Sequence, residues 1–300
     1  MARFVLFGPG FAGSRIIHAL QREGWQVDAI SRTTPDETTG AALAQASHIL
    51  STVPPTRDGE DPILAGHGEA IRQVPWIGYL SSTGVYGDTK GAWVDESAAL
   101  AGRRGGRIAA DLAWQRIGAR VFRLPGIYGP GRSIFERLRA GQAHRVDLPD
   151  QVFSRIHVDD IACGVLSAMQ QGPAGVYNLS DDLPAPQKAV VELGCELLGL
   201  PVPPLRTLDA LGLSPAARAF YGENRRVANG KAKRLLGWQP LYPTYHEGLR
   251  AVLYSVAPAR APAKYYFAGN PQAGAAGGKG QTSSGPGLRR GDGYFNPSSG

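Results

Sequence analysis

Phe4-Val5-Leu6-Phe7-Gly8-Pro9-Gly10-Phe11-Ala12-Gly13-Ser14 is the stretch on which the rest of the chain turns. Phe4 to Phe7 are continuously apolar, the pattern of a parallel strand buried on both faces. Gly8, Gly10 and Gly13 follow at G-x-G-x-x-G spacing, and Ser14 to Leu20 reads as a helix. In such a unit Gly8 permits a tight turn. Gly10 has no side chain to hold a pyrophosphate off the backbone, and Gly13 lets the helix pack closely on the strand. The free N–H groups and positive dipole end of the helix then face the phosphates. A glycine pattern alone is weak; set between a strand and a helix it points to a dinucleotide on Gly8, Gly10, Phe11, Ala12 and Gly13.

Outward from this turn, strand-like and helix-like segments alternate. Gln26–Ser31, Ser47–Val53, Trp76–Ser82, Arg120–Leu124 and Gly175–Ser180 read as strands. Glu60–Val74, with Pro62 suited to a first turn, and Arg103–Ile117 read as helices. Alternation of this kind predicts βαβ units, right-handed crossovers and an α/β fold with a doubly wound parallel sheet. Ligands of such sheets sit at the carboxyl ends of the strands. That rule adds Thr52, Val53, Pro54, Ser81, Leu124, Pro125 and Gly126 to the expected dinucleotide contacts. Beyond residue 125 the pattern loosens. Ser133–Ala140, Asp159–Gln170 and Gln187–Gly199 read as helices, Pro201–Leu205 as a link, and Lys231–Val256 as two short helices around Tyr242-Pro243. The expected organisation is one unit over 1–257. A small C-terminal substrate lobe is drawn mainly from about 130–155 and 181–257.

Residues 258–300 are dominated by Gly, Ala, Pro and Ser and have no apolar periodicity, so a flexible tail is expected there, with Tyr265-Tyr266-Phe267 as its one sticky point. The tail also explains much of the charge. The chain carries a net +7, of which Arg260, Lys264, Lys279, Arg289 and Arg290 against Asp292 contribute +4. The remaining +3 implies no nucleic-acid partner. Hydrophobic residues, at 43%, suffice for a core, and the two cysteines, Cys163 and Cys195, form neither a disulfide framework nor a metal motif. No run of about 18 apolar residues indicates a membrane span. The first strand begins too early for a signal peptide, so a cytoplasmic protein is expected.

Further motifs carry a family resemblance. Ser81-Ser82-Thr83-Gly84-Val85-Tyr86-Gly87-Asp88, Arg123-Leu124-Pro125-Gly126-Ile127-Tyr128-Gly129-Pro130-Gly131 and Arg155-Ile156-His157-Val158-Asp159-Asp160-Ile161-Ala162 are three of them. Tyr177-Asn178-Leu179-Ser180-Asp181-Asp182 and Leu236-Gly237-Trp238-Gln239-Pro240 are two more. In this order they resemble the signatures of the extended short-chain dehydrogenase/reductase superfamily over about residues 1–256. The resemblance implies a Rossmann-like sheet, bound NAD or NADP, a small-molecule substrate in a variable C-terminal lobe, and frequent homodimers.

The place of an NAD-selecting carboxylate, about 20 residues past the glycines, holds Ser31-Arg32. A hydroxyl and a guanidinium suit a 2′-phosphate, so NADP is expected ahead of NAD. In active relatives a Ser or Thr polarises the substrate oxygen, a Tyr moves the proton, and a Lys four residues later lowers its pKa. Ser82 fits the first role. The Tyr-x-x-x-Lys pair is missing: the expected helix reads Gly102-Arg103-Arg104-Gly105-Gly106-Arg107-Ile108-Ala109-Ala110-Asp111, and Lys90 lies in a loop. The resemblance is therefore to the atypical branch, and two expectations stand side by side. In one, Tyr86 or Tyr128 carries the proton, with Arg103 or Arg107 supplying positive charge. In the other the protein binds NADP without turnover, as a redox sensor or scaffold, and Ser82 only contacts the nicotinamide amide. His157 lacks metal-ligand spacing and reads as structural. Asp159 or Asp160 is expected to cap the helix behind it. Nucleotide-sugar relatives carry an Arg four residues before that His; here Phe153 stands there, which argues against such a substrate.

Overall fold

The computed structural model describes residues 2–56 and 58–256; the tail expected over 258–300, with its Tyr-Tyr-Phe, lies outside them. Six strands form the central sheet: β1 (Arg3–Phe7), β2 (Gln26–Ile30), β3 (His48–Ser51), β4 (Trp76–Ser82), β5 (Arg120–Leu124) and β6 (Gly175–Asn178). Their order in space is β2-β1-β3-β4-β5-β6. Every pairing is parallel. The chain lays β2 on one side of β1, then crosses back to lay β3 on the other. Strand order thus reverses between β1 and β3, and the crevice at their carboxyl ends is the natural ligand site of such a sheet.

Ten helices accompany the strands among the described residues: α1 (Phe11–Arg22), α2 (Asp36–Ala44), α3 (Pro62–Arg72), α4 (Gly105–Arg116), α5 (Ile134–Arg139), α6 (Val158–Gln171), α7 (Gln187–Leu198), α8 (Pro215–Phe220), α9 (Gly230–Leu236) and α10 (Tyr245–Val256). Side chains alternate along each strand, so the sheet fills two cores. Phe4, Leu6, Leu50, Leu80 and Phe122 point to one face and meet Ile16 and Leu20 of α1 and Ile161 and Val165 of α6. Val5, Phe7, Ile49, Ile77 and Val121 point to the other, beneath Leu43 of α2, Ile71 of α3 and Trp114 of α4. A third cluster, with Tyr128, Phe135, Leu138, Val191, Tyr245 and Leu249, holds the lobe formed by α5, α7 and α10.

The sequence pattern gives no sign of α2. Its apolar residues are mostly alanines without a helical stripe, and it forms by seating Thr39, Ala42 and Leu43 on the sheet. The capping expectation for α6 is corrected. The Nδ1 of His157 accepts the Asp159 N–H at 3.2 Å. The Asp159 carboxylate instead takes the Arg15 guanidinium, at 3.1 Å through its second nitrogen. Asp160 Oδ1 accepts the Leu241 N–H at 2.5 Å, tying α6 to the segment before α10.

Candidate active site

The glycine turn takes the shape its spacing predicts. Gly8 has φ +84°, and a Cβ there would lie 2.8 Å from Thr52 Oγ1 and 2.9 Å from Val53 Cγ2. A Cβ on Gly13 would lie 2.4 Å from the Gly8 carbonyl oxygen. Beyond Gly10 there is open space, with no atom within 4 Å of a built Cβ. The Thr52 hydroxyl donates to the Gly8 carbonyl at 2.6 Å, locking the end of β3 to the turn. Phe11, Ala12 and Gly13 begin α1, where N–H groups have no carbonyl a full turn behind them within the helix. Open room over Gly10 and unspent amides beside it fit a diphosphate.

At the end of β2, the Ser31 hydroxyl contacts Thr33 Oγ1 at 2.9 Å, and Arg32 is exposed. Asp28 points elsewhere: its carboxylate pairs with Arg3 near the strand's start, at 3.1 Å through one of the two nitrogens. The rim that would hold an adenosine ribose thus presents hydroxyls and a guanidinium, and the carboxylate of Asp28 is committed away from it.

A cavity of about 990 Å³ opens at the carboxyl ends of β4 and β5, two strands from the glycine turn. Ser82, Pro125, Gly126 and Tyr128 line it. Ser82 ends β4, and its Oγ accepts the Gly84 N–H at 3.1 Å, capping the short 3₁₀ turn Thr83–Tyr86. One lone pair is used by the turn while the hydroxyl proton stays available to a substrate oxygen. Leu124 is buried beneath this rim, its carbonyl accepting the Thr83 hydroxyl at 3.5 Å.

Neither candidate tyrosine presents a usable hydroxyl to this cavity. Tyr86 is buried behind the wall. Its OH donates to Asn178 Oδ1 at 2.7 Å and accepts from Arg123 Nη1 at 3.0 Å. Burial raises its pKa, so the phenol stays protonated. The ring of Tyr128 reaches the cavity, but its hydroxyl is buried against α10: a Cβ on Gly248 would sit 1.9 Å from it. That hydroxyl has no hydrogen-bond partner among the described residues, and burial drives its pKa upward. The structure therefore brings Ser82 to the cavity and withdraws both phenols as general bases.

Ser81 also moves from the expected cofactor contacts to the wall. Its hydroxyl donates to Asp111 Oδ2 at 2.6 Å, with 7% of the residue exposed. Asp111, from α4, further accepts from Arg123 Nη2 at 2.8 Å and Nε at 3.1 Å, and from Gln115 at 2.6 Å. This buried network of Ser81, Asp111, Arg123, Tyr86 and Asn178 fixes the backbone on which Ser82 is carried. Sequence reasoning missed it, because strands β4, β5 and β6, the 3₁₀ turn after β4 and helix α4 each supply a member and no spacing rule links them.

His157 is enclosed, its ring 5.2 Å from that of Tyr128 and 4.3 Å from that of Tyr242. Burial lowers it to about 4, so it is neutral near pH 7. Among the described residues no group of three or more His, Cys, Asp or Glu is placed to hold a metal ion, and no helix is long and apolar enough to cross a membrane.

Comparison with known proteins agrees with this architecture. No protein-family model matches the chain. A solved structure from Silicibacter pomeroyi DSS, described as a functionally unknown conserved protein, is 39% identical, with a TM-score of 0.78 over 85% of this chain and 99% of its own. The human epimerase family protein SDR39U1, solved with NADPH, shares the fold at a TM-score of 0.70 and 16% identity, over 85% of this chain and 100% of its own. Among curated proteins, a Streptomyces 3-diazoavenalumate denitrifying reductase is 31% identical over 140 residues. The match spans 43% of this chain and under half, 45%, of that reductase. Protein YeeZ of Escherichia coli K12 is 25% identical over 81% of this chain and 97% of its own length. The chain belongs to one family with the Silicibacter protein, and it shares the fold of epimerase-type proteins such as SDR39U1. Helix α4 of this chain reads Gly-Gly-Arg-Ile-Ala-Ala-Asp-Leu-Ala-Trp-Gln-Arg, without tyrosine or lysine.

Proposed function

We propose that the protein is an NADP-dependent oxidoreductase acting on a small carbonyl or hydroxyl compound. The observation that carries this is Ser82: a hydroxyl with a free proton, at the carboxyl end of a central strand, facing a cavity of about 990 Å³. A bound NADPH would supply the hydride, with the proton that completes the alcohol taken from water, and the chain's own residues would bind and orient. The amides of Phe11, Ala12 and Gly13 hold the diphosphate. Ser31 and Arg32 take the 2′-phosphate, and Thr52, Val53 and Pro54 border the adenosine half. Pro125 and Gly126 form the wall behind the nicotinamide, and Ser82 donates a hydrogen bond to the substrate oxygen as charge grows on it. The name of the Streptomyces reductase supports the reductive direction.

A second reading has its own support. With the phenol of Tyr86 spent on Arg123 and Asn178 and that of Tyr128 sealed against Gly248, neither of the two candidate tyrosines stands ready to move a proton beside Ser82. A protein that binds NADPH without turnover would show this arrangement. One experiment separates the two. NADPH oxidation is followed over a panel of aldehydes, ketones and diazo compounds, with Ser82→Ala and Arg32→Ala in parallel. Substrate-dependent oxidation lost in Ser82→Ala sustains the enzyme. Tight NADPH binding with no turnover across the panel sustains the silent binder. Arg32→Ala is expected to weaken NADPH about tenfold or more and NADH hardly at all; equal losses would remove the NADP preference.

A further inference from the structure

The lining of the cavity is unevenly charged: seven arginines and two glutamates reach it. Both glutamates are already committed. Glu136 Oε2 takes the N–H and the hydroxyl of Ser133, each at 2.7 Å. Glu223 takes Arg103 at 2.7 Å on one oxygen and Arg225 at 2.6 Å on the other. That leaves two half-buried guanidinium groups on the lining with no carboxylate. The guanidinium of Arg107, in the first turn of α4, makes no hydrogen bond or ion pair among the described residues; only its backbone N–H is used, donated to the Arg104 carbonyl at 2.9 Å. Arg155 spends one nitrogen on the carbonyls of Phe153 (2.7 Å) and Ala185 (2.9 Å) and, among the described residues, reaches no carboxylate within ion-pair distance. Asp181, whose field falls on Arg155, is itself pushed up to about 8 by burial and is mostly uncharged at neutral pH. The chain answers a fully buried guanidinium differently where no ligand is involved: Arg123 is matched nitrogen for oxygen by Asp111.

A guanidinium drawn from water without a counterion is unfavourable, and one aimed into a cleft is balanced by an anion brought from outside. Arginine also presents paired donors that match the oxygens of a carboxylate or phosphate. We infer that Arg107 and Arg155 bind the anionic group, carboxylate or phosphate, of the substrate whose oxygen meets Ser82. The inference rests on the oxidoreductase reading for the role of Ser82 but not for the anion site itself. The net positive lining also draws anions toward the cleft, so their affinity falls as salt rises.

The test is calorimetric titration of the full chain with oxalate and, separately, inorganic phosphate, at constant ionic strength with chloride as reference. It is run both with NADPH at saturation and without it. The expected result is saturable binding of at least one anion, weakened tenfold or more in Arg107→Gln and in Arg155→Gln and unchanged in Arg72→Gln at the end of α3. Whichever of oxalate and phosphate binds more tightly identifies the group. Arg107 lies at a helix start outside the cores, so Arg107→Gln tests the idea even where Arg155→Gln fails to fold. No saturable binding of either anion, or equal binding by wild type and Arg107→Gln, overturns the inference. Failure of NADPH to bind overturns the dinucleotide reading alone, because the titration without it still reads the cleft.

Discussion

Removing Asp111 is the most searching test of how Ser82 is held. Asp111 and Arg123 are 0% and 2% exposed in their side chains, so the pair lies outside water's reach. In Asp111→Ala the guanidinium of Arg123 keeps only the Tyr86 hydroxyl at 3.0 Å, and its charge goes unanswered. Breaking such a pair from one side costs about 3–5 kcal/mol. The Ser81 hydroxyl and the Gln115 amide lose their acceptor as well. Against a typical total stability of roughly 5–15 kcal/mol the loss is large. With a urea dependence near 3 kcal/mol per molar, the unfolding midpoint falls by about 1–2 M. Urea unfolding followed by tryptophan fluorescence, reported by buried Trp114 and Trp76, measures the shift. The double change Asp111→Leu with Arg123→Met leaves no unanswered charge, so it is expected to be less damaging than Asp111→Ala alone. A single substitution costing under about 1 kcal/mol, or a double variant as unstable as the sum of its parts, refutes the claim that this pair organises the wall.

Other outcomes follow from the same geometry. Gly13→Ala forces a methyl to 2.4 Å from the Gly8 carbonyl, so stability drops by about 1–3 kcal/mol and NADPH affinity at least tenfold, read by unfolding and calorimetry; unaltered affinity would remove this turn as the diphosphate site. Tyr128→Phe removes a buried hydroxyl that has no partner among the described residues, and is expected to hold stability or raise it by about 1 kcal/mol, read by urea unfolding, with turnover nearly unchanged. A hundredfold loss of turnover in Tyr128→Phe would instead make it the proton carrier. The carboxyl of Asp181 is raised by burial to about 8 from an ordinary value near 4, so between those limits the folded chain holds a proton that the unfolded chain has released. Its contribution is complete below about pH 4 and is lost as pH rises toward 8, with a slope of at most about 1.4 kcal/mol per pH unit. Asp181→Asn deletes that slope, so the stability difference between variant and wild type should widen in the variant's favour from pH 5 to pH 8; a constant difference would contradict the raised carboxyl.

Much of the sheet was legible because a buried parallel strand writes itself as a short apolar run, and β1 and much of β4 are such runs. The glycine turn was legible because each glycine answers a specific crowding, as the contacts at Gly8 and Gly13 show. Helix α2 was not, since alanines and threonines seated on a sheet leave no periodic stripe. The cap of α6 was misread for a related reason: an aspartate at a helix start is the usual cap, but Arg15, distant in sequence, takes Asp159 and leaves the ring of His157 to accept the amide.

The candidate catalytic residues divide along a sharper line, and the 3₁₀ turn after Ser82 explains it. In that turn side chains three apart eclipse one another, so Thr83 and Tyr86 share one face. Thr83 reaches inward to the Leu124 carbonyl, and Tyr86 follows it inward to Arg123 and Asn178. Ser82, one residue earlier, still belongs to the strand and faces the cavity. Ser82 and Tyr86 both stand at the end of β4 in the sequence; the period of the turn sends them to opposite sides of the wall. The same distinction separates two arginines of one chemistry. Arg123, set on a strand whose neighbour helix offers Asp111, is internal structure, whereas Arg107, on that same helix with no acid opposite, is left to face whatever enters the cleft. Charge compensation, which only the fold can decide, makes the first scaffold and leaves the second facing the cleft.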